Sequence, residues 1–208
     1  MKRFKMPETL SQQINDFEPL NSLVLSSDIF DKNLIILIDQ SNIVEVIKIL
    51  KDEDKFSFTQ LIDLCGVDYP HEEIRFQVVY NLLSMNNNSR ITIKAFTDKS
   101  NSVPSIKEIF PSADWYEREA FDLYGINFLG HDDLRRILTD YGFEGHPLRK
   151  DFPLTGFNEV RYSEKEKKVI YEPVKLEQNY RNFDFESPWE GTNYIKEIKR
   201  PNKYDKKN

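Results

Sequence analysis

Glu117, Glu119 and Asp122 lie close together, and paired carboxylates are what general acid–base chemistry uses. If that stretch is helical, Glu119 and Asp122 share a face, and Arg118 stands four residues before Asp122. The plainer expectation is therefore a solvated or ion-paired helix face. His131, Asp132, Asp133, His146 and Asp151 follow, all residue types that ligate metals. The two histidines are 15 apart on a glycine-rich run, without the HxxxH or HExxH spacing that aims two imidazoles at one ion. These side chains are expected instead to cap turns and to pair with Arg135, Arg136, Arg149 and Lys150. That basic group, interleaved with aromatics and prolines, fits either phosphate binding or fixed ion pairs at a permanent protein interface, where arginine is favoured. A formal net charge of -6 favours the interface. Cys65, between Leu64 and Val67, reads as a small buried hydrophobe rather than a nucleophile.

Other chemistries lack their motifs. No GxGxxG follows a strand pattern and there is no Walker A loop, so no nicotinamide, flavin or nucleoside triphosphate fingerprint is present. One cysteine cannot ligate an iron–sulfur cluster, which ordinarily takes four, nor can it build a disulfide framework. A reducing compartment follows. The acidic balance weighs against nucleic acid as a partner. The longest aliphatic run, Leu34 to Ile38, is far short of the roughly 20 apolar residues of a membrane span. Met1 to Leu10 carries basic residues but no apolar segment of a secretory signal. Any membrane association is expected to go through a partner.

The elements that must position the charged residues come next. Residues 7 to 17 suggest a short helix. Leu23 to Ser26 and Leu34 to Asp39 are β-like runs parted by Asp31, Lys32 and Asn33, a hairpin-type break. Ile43, Val46, Ile47 and Leu50 mark a helix that Ser41 or Asn42 can cap. Phe58 to Leu64 is a third strand. Ile74 to Leu83 alternates most clearly, with Ile74, Phe76, Val78, Tyr80 and Leu82 on one side. A turn at Asn86 to Ser89 leads to an alternating run over 90–96. After a helical turn begun by Pro104 comes a helix over 113–124, with Tyr116, Ala120, Leu123 and Tyr124 as its apolar stripe and Gly125 as its stop. The order β-β-α-β-β-β-α predicts an α+β fold, a two-layer sandwich of a mixed sheet with helices on one face.

Three regions follow: an α+β domain over 1–125, a charged Gly/Pro-rich loop over 126–154, and a C-terminal arm over 155–208. A loop so long and polar is expected to be ordered by something it touches. The arm has scattered aromatics, among them Phe157, Tyr162, Tyr171, Tyr180, Phe183, Phe185, Trp189 and Tyr194, and only Val169 to Leu176 is strand-like. That density is high for a solvated tail and too dispersed for a second core. An extended arm laid on another surface satisfies both facts, with the basic residues 196–208 fraying at its end.

The same residues carry a resemblance. Glu117-Arg118-Glu119 with Asp122 to Gly125, His131 with Asp133 to Leu138, and Gly145 to Leu154 closely resemble the signature of the thirty-kilodalton (C) subunit family of proton-pumping NADH:quinone oxidoreductase, respiratory complex I. In mitochondria that encode it, this is subunit nine. Asp63 to Pro70 and Phe183 to Glu190 resemble flanking motifs of that family, and Asp132 stands where the family usually has proline. The resemblance spans about residues 56–190. It implies a core subunit of the hydrophilic arm, on the matrix or cytoplasmic side of the membrane, supporting electron transfer from NADH to ubiquinone coupled to proton pumping. It further implies no catalytic, cofactor-binding or metal residues on this chain, with FMN and the iron–sulfur clusters on neighbouring subunits. The arm would wrap the large quinone-site (forty-nine-kilodalton, D) subunit. Glu117, Arg118, Glu119, Asp122, His131, Arg135, Arg136, His146, Arg149, Lys150, Asp151 and Trp189 become interface or signature residues. Three rivals remain at this stage: a related subunit of a membrane-bound hydrogenase, a metal-dependent hydrolase using His131, Asp133 and His146, and a module for anionic ligands.

Overall fold

A computed structural model of the chain describes residues 6–178. Trp189 and the other aromatics expected beyond Gln178 lie outside the described residues. The chain divides into two compact units, Met1–Gly156 and Phe157–Asn208.

The first unit is the α+β fold. Helices α1 (Pro7–Asn15) and α2 (Glu18–Asn21) replace the single expected helix over 7–17; proline occupies the first turn of each, where no amide donor is needed. Strands β1 (Val24–Phe30) and β2 (Asn33–Ile38) pair antiparallel. Asp31 and Lys32 join them with φ of 46° and 64°, the doubly left-handed turn that suits the twist of a two-residue hairpin loop. Helix α3 (Ile43–Asp52) buries Ile43, Val46, Ile47 and Leu50 on one stripe, each contributing about 1.5–3 kcal/mol. Neither Ser41 nor Asn42 caps it through a side chain. Asp39 accepts the Ser41 amide at 2.9 Å and starts a short 3-10 turn ahead of the helix instead.

Strands β3 (Gln60–Asp68), β4 (Phe76–Ser84) and β5 (Ser89–Phe96) complete a five-stranded sheet of order β1-β2-β5-β4-β3. The β2–β5 pair is parallel and the others antiparallel, so the sheet is mixed. Leu34, Ile36, Ile38, Ile91, Ile93, Ala95, Phe76, Val78, Tyr80 and Leu82 are all buried in the core beneath the helices.

Two short strands escaped sequence reading. Strand β6 (Ser102–Pro104) lies before helix α4 (Ala113–Tyr124), and β7 (Asn127–Leu129) follows it. They pair in parallel with Val103 opposite Phe128, both buried. This clamp holds the two ends of α4's surroundings together and fixes where the signature loop departs.

The second unit contains a hairpin of β8 (Asn158–Ser163) and β9 (Lys168–Pro173). The arm was expected to be extended here, with a strand-like run only from Val169 to Leu176. The alternation of Glu159, Arg161 and Ser163 with Val160 and Tyr162 supplies the second strand.

Candidate functional site

Helix α4 does not present its carboxylates to solvent. Of the solvated or ion-paired face expected for Glu117, Glu119 and Asp122, Glu119 is solvated and Asp122 is ion-paired, to Arg136, but Glu117 and Asp122 are fully buried and Arg118 is 6% exposed. For Asp122 and Arg118 the reason is the loop, which lies over this side of the helix and supplies their partners, whereas Glu117 is satisfied by residues ahead of the helix.

The Asp122 carboxylate is the centre of that arrangement. One oxygen accepts three consecutive amides, from Ile137 at 3.0 Å, Leu138 at 2.7 Å and Thr139 at 2.9 Å. The other accepts the Thr139 hydroxyl at 2.5 Å and the Arg136 guanidinium at 2.8 Å. Burial alone would raise this carboxyl, but the hydrogen bonds from Thr139, Leu138 and Ile137 outweigh it and hold it well below the usual carboxylate range. Arg136 continues to the Gly145 carbonyl at 2.9 Å, so one ion pair fastens both limbs of the loop to the helix.

The C-terminus of α4 shows the same device in backbone form. A helix leaves its last four carbonyls without intrahelical partners. Here the Gly125 amide donates to Phe121, the His146 ring to Asp122 at 2.8 Å, the Leu148 amide to Leu123 at 3.0 Å, and Arg149 Nε to Tyr124 at 2.6 Å. Segment 146–149 is thus a complete cap, and the Arg149 cation also suits the negative end of the helix. Since a carbonyl can only accept, His146 carries its proton on Nδ1. Gly125 is required: its φ is 75°, and a Cβ there would run into His146 and Arg149.

Glu117 faces the other way. Its oxygens accept the Ser105 hydroxyl at 2.6 Å and the Ile106 amide at 2.8 Å. Burial pushes its pKa up, although those two donors oppose the rise. His131, whose side chain is fully buried, accepts the Asp133 amide on Nδ1 at 3.1 Å, which leaves Nε2–H to donate toward the Asp114 carbonyl at 3.3 Å. Arg118 donates to the Arg135 and Arg136 carbonyls.

At the sheet end, Arg75 makes paired hydrogen bonds to Asp68, at 2.6 and 2.8 Å, and to Asp151, at 3.0 and 2.8 Å. The buried Asp68 carboxylate also accepts the Lys150 amide at 2.7 Å. Strand β3 therefore grips the far end of the loop. The Arg75 hydrogen bond, aided by Lys150, lowers the pKa of Asp68.

The sequence-level site residues thus divide. Arg118, Asp122, His131, Arg136, His146, Arg149 and Asp151 hold the loop to its own domain, while Glu117 ties α4 to Ser105 and Ile106 ahead of it. Arg135 points outward, paired with neighbouring Asp133, and its side chain is 65% exposed; Glu119 and Lys150 are also exposed. Trp189 lies outside the described residues. Asp68, Arg75, Ser105, Lys107, Asp114 and Thr139 were not singled out; of these only Asp68 stood in a quoted motif.

The hydrolase triad His131, Asp133 and His146 is not assembled, because His146 caps α4 while His131 sits against Asp114. Among the described residues, the group that brings three candidate ligand atoms within 4.8 Å of one another is Asp114, His131 and Asp132. Lys107 already fills that place: its ammonium pairs with Asp114 at 3.0 Å and with Asp132. Hydrogen bonds to Asp132 and Asp114 raise its pKa, so it stays charged.

The loop should weaken on acidification in two stages. Burial lowers the pKa of His146, so below about pH 6.5 the unfolded chain takes up a proton that the folded one resists. The depressed Asp122 and Asp68 contribute stability that is complete above roughly pH 4 and lost as pH falls through their folded values. Glu117, shifted upward, offsets part of the loss. Amide exchange over 137–149, corrected for intrinsic rates, should accelerate between pH 7.5 and 5.5 and again below 4. Flat protection across that range contradicts these assignments.

Residues 36–158 match the family model described as respiratory-chain NADH dehydrogenase, 30 kDa subunit. The C subunit of NADH-quinone oxidoreductase from Methylobacterium sp. (strain 4-46) is 57% identical over 178 residues, 86% of this chain and 83% of that protein. The protein of the same name from Mesorhizobium japonicum is 56% identical over 178 residues, 86% and 89% of the two chains. Among solved structures, a trypsin-resistant fragment (1–134) of Nqo5 superposes with a TM-score of 0.52 at 26% identity, covering 62% of this chain and all of that one. A chain of an archaeal membrane-bound sulfane sulfur reductase shares the fold, with a TM-score of 0.60 at 24% identity over 84% and 98%. The matched region contains α4 and the whole signature loop, with the charge pattern that fastens one to the other, and the chain belongs to the 30 kDa subunit family of respiratory-chain NADH dehydrogenase.

Proposed function

We propose that this chain is a cofactor-free scaffold subunit whose task is to present a prefolded loop to a larger neighbour. Family membership makes it a subunit of the hydrophilic arm of an NADH-quinone oxidoreductase, an oxidoreductase complex. The finer reading is that the neighbour is the large quinone-site (D) subunit, that FMN and iron–sulfur clusters reside on other subunits, and that the chain reaches the matrix or cytoplasmic face of the membrane through partners. No helix among the described residues is long and apolar enough to cross a membrane.

One observation carries this reading. The loop's buried charges are consumed by its own domain, and large apolar side chains stand among its exposed residues. Leu138 is 62% exposed, Tyr141 100%, Leu148 46% and Leu154 88%, with Trp115 of α4 at 62%. Such side chains on a rigid support are what a protein interface uses as anchors.

The double substitution Leu138→Ala, Tyr141→Ala should leave the melting temperature of the isolated chain unchanged, because neither side chain is buried. It should lower the amount of assembled complex, read by native electrophoresis, and quinone reductase activity should fall in proportion. Normal assembly with lost turnover would replace the scaffold reading with a direct catalytic role.

A further inference from the structure

The five-stranded sheet carries a polar groove on the face turned away from the core. Leu34, Ile91 and Leu82 are core residues, so their neighbours along each strand project to the other side. There Asn33, Thr92, Asn81 and Asp63 form one row across four adjacent strands, β2, β5, β4 and β3, with Asn81 opposite both Thr92 and Asp63. Asn33 Nδ2 donates to Thr92 Oγ1 at 2.7 Å, and that hydroxyl donates to Asn81 Oδ1 at 2.8 Å. The row lines a groove of about 590 Å³, the size of a small-molecule site. None of these residues fastens the signature loop.

The two ends of the groove differ in charge. Lys32 and Arg90 line the end at β2 and β5; both are exposed, and neither has an ion-pair partner among the described residues. Asp31 lines the same end, which leaves one positive charge in excess there. At the β3 end stand the half-buried Asp63 carboxylate and Ile62, which is 47% exposed. Three strand spacings, about 14 Å, separate β2 from β3. The Asn33 side-chain oxygen is buried and accepts no hydrogen bond among the described residues, an acceptor left unpaired at a cost to the fold.

We propose that this groove is a binding site for a nucleoside monophosphate. The ligand must be anionic at one end, rich in hydrogen-bond donors at the other, and long enough to reach across the row. Inorganic phosphate and single amino acids are too short, and a lipid chain finds no apolar floor. The phosphate meets Lys32 and Arg90, the guanidinium being suited to two-point contact with its oxygens. The amino group of the base donates to Asp63, and the ring edge lies against Ile62. The ribose hydroxyls fall between, where Asn33 lacks a donor and Asn81 offers its amide. The site is independent of the scaffold reading above, and it uses the sheet rather than a glycine-rich phosphate loop.

The test is calorimetric titration of the full chain with AMP. Binding should saturate at one molecule per chain. Adenosine, which lacks the phosphate, and ribose 5-phosphate, which lacks the base, should each bind about tenfold more weakly or worse. Lys32→Ala with Arg90→Ala should weaken AMP by about tenfold or more while leaving the melting temperature unchanged, because both side chains are exposed. Asp63→Ala should weaken AMP but not ribose 5-phosphate. Absence of saturable AMP binding overturns the proposal. Inorganic phosphate or ribose 5-phosphate binding as tightly as AMP reduces the groove to a plain anion patch and overturns it too. AMP affinity untouched by the Lys32 and Arg90 pair places the ligand elsewhere. A pair that lowers recovery of the assembled complex in a chain that does not bind AMP assigns the face to another protein, which also overturns it. The loop-based reading survives each of these failures, since Leu138→Ala, Tyr141→Ala tests that one separately.

Discussion

Asp122→Ala should destabilise the isolated chain by about 3–5 kcal/mol, the usual effect of removing one partner from a buried ion pair. The figure sits at the large end for single substitutions because several losses coincide. Arg136 loses its carboxylate, three consecutive amides from Ile137 to Thr139 lose their acceptor, and the Thr139 hydroxyl loses its partner. The loop then has no reason to follow α4 between residues 136 and 145. Asp122→Asn keeps the shape and one acceptor oxygen, so it should lose less. Denaturant titration measures the first effect, and limited proteolysis near Tyr141 should show the loop opening before the sheet does. A destabilisation no larger than that of an exposed substitution would mean that the carboxylate is not the organising contact.

Asp68→Ala ranks second, at about 2–5 kcal/mol for truncating one side of a buried, hydrogen-bonded charge pair. The lower half of that interval is expected, because Arg75 retains Asp151. Two attachments disappear together: the forked bond to Arg75 and the Lys150 amide that anchors the loop's far end. Asp151→Ala provides the contrast. Its side chain is 65% exposed, and its loss should barely move the unfolding midpoint. Equal effects from the two would show that the ion pair alone matters and that the Lys150 attachment does not. Asp122→Ala and Asp68→Ala should also reduce complex assembly, since each releases one end of the loop that displays Leu138, Tyr141 and Leu148.

The contrast between these two aspartates and the rest of the chain explains what sequence could reveal. Alternation in 74–83 and the i, i+3, i+4, i+7 spacing of Ile43 to Leu50 are local patterns, and the structure follows them within a few residues. Gly125 announced the end of α4, because a left-handed cap leaves a glycine behind. Strands β6 and β7 stayed hidden because each is three residues long and finds its partner across α4. The parallel β2–β5 pairing is equally non-local.

Charge was the hardest part to read. Glu117 and Asp122 are residue types seldom fully buried, so a solvated or ion-paired helix face was the natural expectation. What reverses it for Asp122 is a set of backbone donors 15 to 17 residues further on, whose positions exist only once the loop has turned, and for Glu117 the Ser105 hydroxyl and Ile106 amide 12 and 11 residues earlier. Arg149 illustrates the same point: beside a run of basic residues it looks like an interface cation, yet it closes the end of its own helix. The motif residues advertised that they belong together. Their division into inward fasteners and outward anchors required the fold.

Hydrogen exchange at the Ile137, Leu138 and Thr139 amides of the isolated chain tests the central claim most directly. If α4 folds the signature loop without help, these amides exchange far more slowly than in an unstructured peptide, and Asp122→Ala, which removes their acceptor, removes most of that protection. Free exchange in the parent chain alone, with protection arising only in the assembled complex, would contradict it.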